Sequence, residues 1–190
     1  GGYGCTRLLP ELHGNWPARD PFVVGFSDIT ALLWARFAVG FRKGVHGPAL
    51  VSLGTQPSWA IERLGRILLG ETVPPLSGIG WGGGRAEGPV LPGNLSVATA
   101  LIGTRHLPSL DGVILVLEDL HWSDTATVEW LHYVARRRDP APLLVLGTYR
   151  PVDVIARKHP LQGVRAELRQ LPQCQEVVLD YLSETAVAAY

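Results

Sequence analysis

Two rhythms of apolar and polar positions run along the chain. Short apolar runs bounded by turn residues predict strands at 21–26 (PFVVGF), 112–117 (GVILVL), 143–147 (LLVLG) and 176–179. Between them apolar side chains recur at helical spacing. Ile29, Leu32, Leu33 and Phe37 predict a helix over 27–40 that stops at Gly40, and Trp59, Ile61, Leu64, Ile67 and Leu68 predict another over 58–69. Further helices are expected at 95–103, 125–137 and 161–168. A Pro- and Gly-rich stretch at 73–93, ending in LPGN, interrupts both rhythms and reads as a connection with room for one short strand. Strands alternating with helices predict an α/β fold, a mostly parallel sheet with flanking helices.

Composition narrows this picture. The chain has 190 residues, enough for one domain or two small ones. Apolar residues make up 46% and charged residues 18%, which implies a packed globular fold rather than a disordered segment. The 17 basic and 17 acidic side chains cancel, so no overall field draws the chain to nucleic acid or to an anionic membrane, and neither is expected as a partner. No apolar run approaches the roughly 18–20 residues of a membrane span. The two cysteines, Cys5 and Cys174, are too few for a disulfide framework and lack metal-ligand spacing, so a reducing cytoplasmic setting and no metal are expected.

Ser27 stands directly after the first strand and directly before the first long helix. A serine in such a turn presents its hydroxyl above the sheet edge, near the positive end of the helix, which suits a nucleophile. The unsatisfied amides of the first turn, that of Asp28 among them, could hold an oxyanion. The same position also suits a simple helix cap, with Ser27 or Asp28 in that role, and position alone leaves both readings open.

Around this turn lie GGYG followed by RLLPEL (1–12), GFSDITALL (25–33), HGP (46–48), GRAEG, GNL with IGT, and ILVLED (114–119). Taken in order, these landmarks resemble the LD-carboxypeptidases, a family that includes microcin-immunity peptidases and uses a Ser-Glu-His triad on an amide beside a D-amino acid. The resemblance implies that Ser27 is the nucleophile and that Glu118 orients the histidine. It also implies that the amide of Asp28 and one in Gly1-Gly2, represented by Gly2, bind the oxyanion. His46 reads as a structural histidine in a Gly-Pro turn that could line the site. The sequence departs from the family in two places. Pro92 stands where a glycine usually precedes the GNL landmark, and the family's Gly-His pair does not follow Glu118: His121, His132 and His159 follow Leu120, Leu131 and Lys158. His121, three residues past Glu118, is the candidate substitute base.

From Glu118 onward, LVLEDLHWSD and LLVLGTYRP resemble the ATPase modules of large signal-transduction regulators. In those modules an apolar strand ending in acidic residues is a Walker-B-type element, which would place Glu118, Asp119 and Arg150 near nucleotide phosphates. A phosphate loop of the form G-x-x-x-x-G-K-[ST] is missing, and the glycine-rich 80–88 lacks its Lys-Ser/Thr ending. The two resemblances meet at ILVLEDL, which suggests a fusion of two incomplete domains.

The expected organisation is therefore a nucleophile-bearing segment over 1–72, a connection over 73–93, the start of a second peptidase domain over 94–118, and an ATPase-like segment over 119–190. The expected function is a cytoplasmic serine-type LD-carboxypeptidase of cell-wall recycling. Its partner is a murein-derived peptide, it needs no cofactor, and a homodimer is left open. The alternatives are an ATP-binding regulator fragment without its phosphate loop and a non-catalytic chimera.

Overall fold

The computed structural model describes residues 2–76, 85–137 and 142–179. The elements in chain order are α1 (Cys5–Leu12), β1 (Val23–Gly25), a 3-10 turn (Ser27–Ile29), α2 (Thr30–Ala38), β2 (Gly44–His46), a 3-10 turn (Leu50–Thr55) and α3 (Ser58–Leu68). They continue with β3 (Val90–Asn94), α4 (Leu95–Thr99), β4 (Ile114–Glu118), a 3-10 turn (Leu120–Trp122), α5 (Thr125–Arg136), β5 (Leu144–Gly147), α6 (Pro151–Ala156) and α7 (Leu161–Leu168). Among the described residues every strand pairing is parallel. β1 pairs with β2, and β3, β4 and β5 form a three-stranded sheet with β4 in the centre. The expected α/β architecture is present.

β4 is apolar along its length because helices cover both faces of a parallel sheet. Leu115 and Leu117 are wholly buried, and Leu91, Leu95, Ala98, Ala31 and Trp34 join them in one core. Burying a side chain of this size contributes about 1.5–3 kcal/mol. Pro92 sits in β3, an edge strand, where a missing N–H does least harm.

The helix α2 is stitched to β3. Trp34 donates its indole N–H to the carbonyl of Pro92 at 2.9 Å, and Asn94 donates its backbone N–H to Thr30 Oγ1 at 2.9 Å. Gly93 lies beneath this contact: a Cβ there would stand 2.6 Å from Thr30 Cγ2 and 2.9 Å from Trp34 Nε1. Asn94 then caps α4, its side chain accepting the Val97 N–H at 3.3 Å. The end of the Pro- and Gly-rich connection is thus a built-in strand that fastens α2 to the second sheet. Residues 77–84, most of the glycine-rich run, lie outside the described residues.

Two expectations change. The helix expected over 27–40 begins as a 3-10 turn at Ser27–Ile29 and becomes α-helical only from Thr30. The strand expected at 176–179 does not form. Glu176 instead accepts hydrogen bonds from Tyr149 Oη and from the guanidinium groups of Arg165 and Arg169, which ties the segment to α7 rather than to the edge of β5. Among the described α-helices and strands, α1, β2 and α6 have no counterpart in the predicted segments, and neither do the 3-10 turns at Leu50–Thr55 and Leu120–Trp122.

Candidate active site

Ser27 follows an extended Phe26 (φ −142°, ψ 179°) and itself takes φ 58°, in the left-handed region. A non-glycine residue there costs roughly 1–2 kcal/mol, so the surrounding packing must impose it. Gly25 makes the imposed turn feasible. A Cβ at Gly25 would lie 2.8 to 3.0 Å from three side-chain atoms of Ile29, so only glycine lets the helix fold back this closely on β1. The result is a sharp strand-to-helix elbow with a half-buried serine at its apex.

Glu118 ends β4 and meets the elbow. Ser27 donates its backbone N–H to Glu118 Oε1 at 3.2 Å. His46 ends β2, in register with Gly25 of β1, and its Nε2 lies 2.9 Å from Glu118 Oε2. That is an ion-pair distance without the alignment of a hydrogen bond, and both ring nitrogens of His46 are buried with no aligned hydrogen-bond partner among the described residues. One carboxylate therefore bridges the serine elbow and an imidazole, each at the carboxyl end of a parallel strand, where α/β folds place their sites. The His46 imidazole holds the Glu118 carboxyl below its ordinary value, with a smaller push the same way from the Ser27 amide, while burial acts in the opposite direction. Glu118 is a carboxylate at neutral pH.

Asp28 is buried, and its Oδ2 accepts the N–H of Cys5 at 2.9 Å, so its side chain caps α1. This pins the N-terminal glycines beside the elbow. Gly2 and Gly4 both take φ 113°, a conformation that L side chains rarely adopt. The backbone N–H of Asp28 belongs to a first helical turn, where intrahelical acceptors are lacking. Burial, reinforced by the Asp28 carboxylate, pushes the Cys5 thiol up to about 11, which keeps it protonated and out of nucleophilic chemistry.

The structure places His121 elsewhere. Its imidazole is buried, Nδ1 accepts the Arg150 N–H at 3.4 Å, and Nε2 stands 3.5 Å from Asp153 Oδ2 and 3.9 Å from Asp119 Oδ1. Its ring also meets Trp122, and neither Ser27 nor Glu118 is among its contacts. Asp119 is a turn residue at φ 53° whose N–H donates to Thr148 Oγ1 at 3.3 Å. Among the described residues no group of three or more His, Cys, Asp or Glu side chains is arranged to hold a metal ion. The structure brings Ser27, Asp28 and Glu118 of the expected site to one elbow, and it adds His46, which the sequence suggested only as a residue that could line the site. The available signal was the HGP landmark behind a short Gly-Val-His run.

Comparison with known proteins points one way. The model of the LD-carboxypeptidase N-terminal domain matches residues 1–47, and that of the C-terminal domain matches residues 87–183. The second match takes in most of the segment that resembles an ATPase and assigns it with the rest of the chain. A Synechocystis protein named as a carboxypeptidase is 41% identical over 136 residues, covering 68% of this chain and 44% of that protein. The murein tetrapeptide carboxypeptidase of Pseudomonas aeruginosa is 37% identical over 136 residues, covering 63% of this chain and 43% of that protein. The chain spans less than half the length of these two relatives. Among solved structures, an MccF-like protein of Bacillus anthracis superimposes with a TM-score of 0.62 at 23% identity, covering 92% of this chain and 63% of that one, a likeness of fold.

Proposed function

The chain belongs to the LD-carboxypeptidase family, and we propose that it carries the nucleophile-bearing part of a serine peptidase that hydrolyses the amide before a terminal D-amino acid in murein-derived peptides. The observation that carries this reading is the elbow: Ser27 at φ 58° with its amide on the ionised Glu118. In the proposed reaction Ser27 Oγ attacks the scissile carbonyl and the C–N bond breaks. The amine leaves with a proton from the base, and water then hydrolyses the acyl-enzyme. The Asp28 amide and the backbone at Gly2 are the proposed oxyanion donors, and Glu118 holds the base in one tautomer. Murein peptide is the proposed substrate because the Pseudomonas relative is named for it. A cytoplasmic setting fits the free thiols of Cys5 and Cys174. Among the described residues no helix is long and apolar enough to cross a membrane.

The test is release of D-alanine from a murein tetrapeptide by the purified chain, beside an analogue ending in L-alanine. Release from the D form alone, abolished by Ser27→Ala, is expected. Release that survives Ser27→Ala would sink the reading.

A further inference from the structure

A cleft of about 510 Å³ lies between α1 and the turns that follow α4, and Ser27, His46 and Glu118 are not among its walls. Its size falls in the range of small-molecule sites. The floor is apolar: Leu9 of α1 and Leu101 are both buried, and Ala100 lies beside them. The rim is polar and basic. It carries Thr104, Arg105 and His106, and no acidic side chain is among the described residues that line it.

Three basic side chains meet at this rim. Arg105 Nη1 lies 2.6 Å from His13 Nε2, and because a guanidinium only donates, the imidazole accepts and is neutral. His13 in turn meets the His106 ring edge-on, with centroids 6.2 Å apart. A cation that hydrogen-bonds a neutral imidazole keeps its whole charge, and among the described residues none of the three side chains pairs with a carboxylate. The field is felt at His106, whose imidazole is held below its ordinary value by burial first and by the Arg105 guanidinium next. Thr104 fixes the rim: its Oγ1 donates to the Leu101 carbonyl at 2.7 Å and accepts the His106 N–H at 3.2 Å.

An apolar floor below an uncompensated positive rim suits a ligand divided in the same way. We propose that this cleft binds a small organic anion, with its carboxylate or phosphate head on Arg105 and His106 and its apolar body on Leu9 and Leu101. A guanidinium donates two N–H groups in parallel to such a head, which neutralises the charge that Arg105 places on the rim. The cleft is separate from the serine elbow, so the proposal stands without the peptidase reading.

The probes are benzoate and phenyl phosphate, with inorganic phosphate as the head alone and benzyl alcohol as the body alone. Each is titrated into the isotope-labelled full chain near neutral pH and followed by NMR at the His106 ring and at the amides of residues 100–106. Both organic anions should bind saturably and raise the His106 pKa, because a bound anion favours the charged imidazole. The tighter of the two identifies the preferred head. Inorganic phosphate and benzyl alcohol should each bind about tenfold more weakly or worse, since each lacks half of the contacts. Arg105→Gln changes an exposed side chain and should weaken benzoate about tenfold or more. Ala100→Trp should fill the cleft and block binding without altering its charge, and Ser27→Ala should bind as the unmodified chain does. Retained amide spectra away from the cleft check the fold of each variant. Absence of saturable binding overturns the proposal, as does binding that survives both Arg105→Gln and Ala100→Trp or that is lost in Ser27→Ala. Inorganic phosphate bound as tightly as phenyl phosphate would reveal a charged surface without a cleft site, and would overturn it too.

Discussion

The backbone N–H of Ser27 donates to Glu118 Oε1 at 3.2 Å, joining residues 91 positions apart, one just past the end of β1 and the other at the end of β4 in the second sheet. The bond ties the strained elbow to β4, so the serine geometry and the carboxylate geometry stand or fall together.

Strain at the elbow predicts a conflict between stability and function. Glycine accepts φ 58° at no steric cost, so Ser27→Gly should stabilise the chain by roughly 1 kcal/mol relative to Ser27→Ala, and both should be inert. Denaturant titration of the two variants checks this. Equal stability would mean that the left-handed turn is not strained.

Gly25 should be irreplaceable unless Ile29 gives way. Gly25→Ala places a methyl 2.8 Å from the Ile29 side chain and should cost about 1–3 kcal/mol. Adding Ile29→Ala should recover part of that loss. A double variant no more stable than Gly25→Ala would show that the close approach is not the cause.

Glu118 makes stability depend on pH in a stated direction. Its folded-state pKa lies below the ordinary 4.5, so its contribution is complete above that value and is lost as pH falls through the lowered one. Glu118→Gln has no such titration. The stability difference between the unmodified chain and Glu118→Gln should be flat from pH 7 to about pH 5 and shrink below about pH 4.5. A difference that widens in acid would reverse the assignment.

Asp28 should govern the reactivity of Cys5. The thiol is pushed up to about 11 by burial first and by the Asp28 carboxylate second, so Asp28→Asn should lower its pKa and speed alkylation by iodoacetamide at pH 9 several-fold. An unchanged rate would show that burial alone sets the thiol.

Much of this was legible in the chain itself, because PFVVGF running into SDITALL encodes its elbow locally and ILVLE can only be a buried strand. Glu118 at the strand end facing Ser27 follows from the order of landmarks. His46 was legible only as a histidine that could line the site: β2 spans only Gly44–His46, too short for a periodic signal, and its contact with Glu118 depends on pairing with β1 about 20 residues away. Pro10 inside α1 hid that helix, and the apolar run at 176–179 suggested a strand although Glu176 is held by ions of α7.

Peptide mapping after treatment of the chain with a serine-directed fluorophosphonate, which forms an O–P bond and releases fluoride, tests the central claim most directly. The added mass should fall on the peptide containing Ser27, at one site per chain, and vanish in Ser27→Ala. An adduct on any other residue, or one that persists at full yield in Ser27→Ala, would contradict the assignment of Ser27 as the nucleophile.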